Sequence, residues 1–122
     1  DLKIKETMEK IKVIITNSLY EEINKKFKAH STKILKKLKS IKDTPSKGKP
    51  LGTVGGILIK ELKFESFRFY FIVDGHKLKW IQSKEISQLI LQFVRMSDKK
   101  KQQKVIEEIK LILRQIGPLG FE

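Results

Sequence analysis

Between Ile59 and Gly75 the chain reads IKELKFESFRFYFIVDG, β-branched and aromatic residues alternating with polar ones. A period of two belongs to strands, and a run of this kind ending on Asp74-Gly75 carries a hairpin signature. The alternation sets Leu62, Phe64, Phe67, Phe69 and Phe71 on one face and Lys63, Arg68 and Tyr70 on the other. A second apolar segment, Leu89 to Val94, reads as a buried strand that runs into a basic turn at Lys99-Lys100-Lys101. Together they predict a curved sheet with cations on one surface and an oily underside. That is a frame suited to binding anions.

Composition narrows the partners. A chain of 122 residues is the size of one domain, here taken as 1–122, and 39% hydrophobic residues suffice for one core. Lys and Arg number 27 against 14 Asp and Glu, a net charge of +13. Such an excess predicts attraction to polyanions: nucleic acid or a ribosome first, an acidic protein next. Cysteine is absent, which excludes disulfide frameworks, thiolate zinc sites and thiol nucleophiles. No apolar run approaches the ~18 residues of a membrane span, and no signal-peptide core opens the chain. The expectation is a soluble, cytoplasmic protein without a membrane partner.

Along the chain, residues 1–10 suit either a short helix or a mobile lead-in. Lys12 to Thr16 (KVIIT) reads as the first strand. Asn17 and Ser18 are N-cap residues for a helix carrying Leu19, Ile23 and Phe27 to about Ala29. His30-Ser31-Thr32 breaks that pattern, and a second helix follows with Ile34, Leu35, Leu38 and Ile41 inward and Lys33, Lys36, Lys37 and Lys39 outward. Asp43 to Pro50 is a breaker cluster, hence loop. The glycine-rich LGTVGG that follows lacks the lysine, serine and helix of a phosphate-binding loop, so a flexible turn entering a sheet is the better account. His76 to Ile81 alternates like a returning strand, and Ile86 to Met96 like another. Ser97 or Asp98 then caps a last helix with Val105, Ile109, Ile112, Leu113 and Ile116 as its apolar stripe, closed by Gly117-Pro118. The fold class is α+β: an N-terminal strand and helical hairpin packed on a curved antiparallel β-sheet, with a C-terminal helix.

Each candidate residue carries a functional and a structural reading. Arg68 suits a phosphate clamp or an ion pair to Glu61 or Glu65. Tyr70 suits stacking on a base or cross-strand packing. Lys99-Lys100-Lys101 suits an anion site or a solvated turn; cations at a helix start oppose the dipole by roughly 0.3–1 kcal/mol each, which favours the former. Arg95 suits a sheet edge or a phosphate contact, and Trp80 a place in the core. His30 and His76 have no metal-ligand spacing, so no metal site is expected. They read as a solvated helix end and a turn neighbour.

Four short motifs then stand in order: Gly48-Lys49-Pro50-Leu51, Glu61-Leu62-Lys63, Arg68-Phe69-Tyr70-Phe71 and Asp98-Lys99-Lys100-Lys101-Gln102. In that order and spacing, after a helical hairpin, they resemble the RelE/ParE toxin superfamily and its HigB-like branch over roughly Lys12 to Leu113. The resemblance implies the toxin of a microbial type II toxin–antitoxin system, partnered by an antitoxin. It further implies inhibition of translation by metal-independent, ribosome-dependent cleavage of mRNA, with no cofactor. By the same resemblance Arg68, Lys100 and Lys99 would be catalytic, and Lys63, Tyr70, Arg95, Lys101 and Lys60 would bind RNA. Glu61 stands where the best-known members carry a lysine base, and Ile106 where they carry a stacking tyrosine. About ten additional residues, 76–86, separate the hairpin from the next strand. A non-catalytic binding domain of the same fold, for RNA, gyrase or an acidic protein, is the alternative.

Overall fold

The computed structural model describes residues 11–79 and 88–121. Strand β1 (Ile11–Ile15) leads into helix α1 (Asn17–Phe27), a 3₁₀ turn at Lys28–His30 and helix α2 (Ser31–Lys39). Strands β2 (Lys49–Val54), β3 (Ile57–Phe64) and β4 (Phe67–Asp74), the short helix α3 (Gly75–Lys79), strand β5 (Leu89–Ser97) and helix α4 (Gln102–Gln115) complete the order. The protein is α+β, with one five-stranded sheet ordered β1-β5-β4-β3-β2. Strands β2 to β5 pair antiparallel, and β1 adds a parallel edge along β5, Ile11 to Leu89 through Ile15 to Phe93.

Both faces of the sheet are covered. Leu62, Phe69, Phe71 and Val73 pack with Leu91 and Phe93 against Leu19, Ile23, Ile34 and Leu38 of the helical hairpin. The other face sets Ile59, Tyr70, Ile72 and Val94 against Ile106, Ile109 and Leu113 of α4, with Phe121 closing the end. Between Tyr70 and Phe71 the β4–β5 register shifts, so that Tyr70 faces Arg95 while Phe71 faces Phe93. The extra residue is Val94, and the bulge aims both Val94 and Arg95 at α4.

Several boundaries differ from the expectations. The first helix is capped by Thr16, whose Oγ1 accepts from Leu19 N at 3.4 Å, one residue before Asn17. The β3–β4 hairpin turns at Glu65-Ser66, with Phe64 paired to Phe67 and Glu65 at φ 58°. Asp74-Gly75 is no hairpin turn: Asp74 Oδ1 accepts from His76 N at 3.0 Å and Lys77 N at 3.2 Å, starting α3 where a returning strand was expected. A carboxylate that can satisfy free amides of a helix start diverts the backbone from extension. The rest of that expected strand, Trp80 and Ile81, lies outside the described residues. So do the start of the next one, Ile86, and the lead-in 1–10. In α4 the buried stripe is Ile106, Ile109 and Leu113, while Ile116 is 67% exposed beyond the helix end.

Candidate nucleic-acid interface

Strands β3 and β4 run past the end of the α4 layer, and there the covered face opens. The cleft is about 470 Å³ and is lined by Lys47, Gly48, Lys49, Glu61, Leu62, Lys63, Arg68 and Gln102. Sheet register brings them together: Lys49 pairs with Glu61 across β2–β3, Lys63 with Arg68 across β3–β4, and Arg68 with Ser97 across β4–β5. Directly paired residues share a face, so Lys49, Glu61, Lys63 and Arg68 all stand on one side of the sheet. Gln102 contributes from the first turn of α4, whose unpaired amides and dipole favour an anion nearby.

Four cations surround one carboxylate. Arg68 Nε lies 3.5 Å from Glu61 Oε1, and both side chains are only 12% exposed. They form the floor, while Lys47, Lys49 and Lys63 are exposed on the rim. A largely buried guanidinium held by one edge still offers a planar donor set suited to phosphate oxygens. The adjacent carboxylate can accept a proton from a hydroxyl laid over the pair.

The structure redistributes the residues expected from the sequence. Arg68 and Lys63 share the cleft. Lys99 and Lys100 are exposed in the turn before α4 and do not line it, so of the three residues expected to be catalytic only Arg68 stands in the cleft. Lys101 lines a separate cleft of about 110 Å³ with Glu22, Lys26 and Asp98. Its backbone amide donates to Asp98 Oδ1 at 2.9 Å.

Three side chains expected to contact RNA are buried or already paired. Tyr70 is 0% exposed beneath α4, and its hydroxyl shares a 2.7 Å hydrogen bond with Ser97 Oγ. It is core, and burial pushes its phenol above the ordinary value, keeping it neutral at physiological pH. Arg95 donates from Nε to Glu108 Oε1 at 2.8 Å and from Nη1 to Val94 O at 2.7 Å, with its guanidinium 5.3 Å from the Phe121 ring. It ties α4 and the chain end to the sheet. Lys60 is 3% exposed on the opposite face, beside Phe71.

Lys47 enters the site unforeseen, and Lys49, Glu61 and Gln102, named in the sequence only within motifs or as an ion-pair partner of Arg68, join it. Only the β2–β3 register puts Lys49 beside Glu61, and nothing in a breaker-rich stretch announces that pairing. Among the described residues, no three His, Cys, Asp or Glu side chains cluster so as to hold a metal ion, and no helix is long and apolar enough to cross a membrane. Comparison with protein-family models, curated proteins and solved structures finds no match for the chain.

Proposed function

We propose that the chain is a RelE/ParE-type toxin domain whose cleft receives an RNA backbone on the ribosome. In this reading it cleaves mRNA, inhibits translation and is silenced by an antitoxin. One observation carries it: Arg68 and Glu61 stand 3.5 Å apart on the floor of a cleft rimmed by three lysines. The four-motif resemblance, which includes Arg68, Lys63 and Glu61, supports the same assignment.

The chemistry follows from the two floor groups. With a phosphodiester over Arg68, Glu61 takes the proton of the neighbouring 2′-hydroxyl. The 2′-oxygen bonds to phosphorus, the bond from phosphorus to the 5′-oxygen breaks, and that oxygen takes a proton from water, while the proton held by Glu61 returns to the solvent. The products are a 2′,3′-cyclic phosphate and a 5′-hydroxyl. Arg68 and Lys63 stabilise the charge that grows on the phosphoryl oxygens. Lys99, Lys100 and Lys101 would meet flanking RNA, outside the reacting centre.

A second reading keeps the fold and the RNA but not the cleavage. It is favoured by the same ion pair, because Glu61 already neutralises part of the guanidinium and competes with phosphate for it. Purified chain added to translating ribosomes separates the two. Cyclic-phosphate ends on the mRNA, produced without added metal, support the nuclease; translation arrest with intact mRNA supports the binder. Neither effect would remove both.

A further inference from the structure

Among the described residues Lys60 is the one charged residue that is buried, 3% exposed. Its Nζ donates to the carbonyl oxygen of Ser46 at 2.7 Å and lies 5.8 Å from the centre of the Phe71 ring. Among the described residues no carboxylate is within ion-pair distance of it, and burial lowers its pKa from the ordinary 10.5. A buried ammonium with no counter-ion is costly, and an apolar side chain of similar volume would serve the core as well or better. Core stability therefore does not account for a lysine here.

We propose that Lys60 is a positioning residue, a latch that fixes the Ser46–Gly48 rim of the cleft so that Lys47 faces the RNA backbone beside Lys49, which the β2–β3 pairing already holds. Along β3, Glu61 points into the cleft while its neighbour Lys60 points to the other face and reaches the segment that forms the rim. The rim rests directly on the latch. A Cβ built on Gly48 would lie 3.0 Å from Phe71 Cζ and 3.3 Å from Lys60 Cε, so only glycine, here at φ +108°, passes over these two side chains. The bond from Lys47 N to Thr44 O at 2.9 Å closes the turn on its own account. The Lys60 bond ties that turn to β3 ahead of the β2–β3 pairing, which begins at Lys49. The latch itself stands apart from the function proposed above; its consequence for RNA rests on that reading.

Lys60→Met removes the ammonium and keeps the bulk. The variant is expected to melt at or above the temperature of the parent. Backbone amides of residues 44–49 should exchange with deuterium about tenfold faster or more, the loss of one hydrogen bond to a charged donor. Affinity for a single-stranded RNA oligonucleotide should fall several-fold, with β3 and β4 amides unchanged. Unchanged exchange at 44–49 in the folded variant overturns the latch, and faster exchange with unaltered RNA affinity overturns its positioning role. Should Lys60→Met not fold, the parent decides: nitrogen-15 spectra of its lysine ammonium groups should show Lys60 protected from solvent exchange, and averaging with the exposed lysines overturns the proposal. A parent that binds no RNA removes the function proposed above, while the exchange measurement still judges the latch.

Discussion

Arg68→Ala is expected to reduce cleavage of mRNA on ribosomes by about a hundredfold or more, the effect of removing one preorganised donor from a developing oxyanion. The guanidinium is the one cleft cation held in place by both a strand and an ion pair, to Glu61 at 3.5 Å. The rim lysines reach in on flexible stems and can substitute for one another. Arg68→Lys should recover part of the binding and little of the rate, since a point charge replaces a planar fork. The alanine variant also leaves the 12%-exposed Glu61 carboxylate without its partner, so its thermal melt must be read beside its activity. A folded variant that cuts like the parent takes the chemistry away from this cleft.

Phe71→Ala should have the largest effect on stability, a loss of about 3–5 kcal/mol. Its side chain is 0% exposed and its ring stands 4.9 Å from that of Phe93 at 48°. It also carries Gly48 and the Lys60 ammonium. Domains of this size have roughly 5–15 kcal/mol in total, so the variant should melt roughly 12–20 °C lower, or fail to fold. Calorimetry or urea titration measures it. A loss below about 1 kcal/mol would mean that the hairpin-side core is not packed as described.

Local periodicity made the architecture legible. Alternation in β3 and β4 and the helical spacing of Leu19, Ile23, Ile34, Leu38, Ile109 and Leu113 pointed to a sheet, a helical hairpin and a last helix. The turns were harder. Asp74-Gly75 suits a hairpin turn and a helix cap equally, and the choice depended on what followed. Glu65 takes a positive φ without glycine to mark it. Tyr70 was placed correctly on the Arg68 face, but alternation does not say how far α4 covers that face. Lys60 shows the same limit from the other side: the resemblance implied a contact with RNA, while its position in the alternation put it among Leu62, Phe69 and Phe71. Arg68 and Lys63 were readable from their strands. Lys47, Lys49 and Gln102 were not, because they reach the cleft only through the β2–β3 pairing and the docking of α4.

The cleft can be tested as the RNA site by titrating the nitrogen-15-labelled protein with a single-stranded RNA oligonucleotide and following each resonance. The largest shifts should fall on the amides of Lys47 to Lys49, Glu61, Lys63 and Gln102 and on Arg68 Nε, with the lysines of α1 and α2 little changed. Shifts centred on those helices, with Arg68 Nε unmoved, would contradict it.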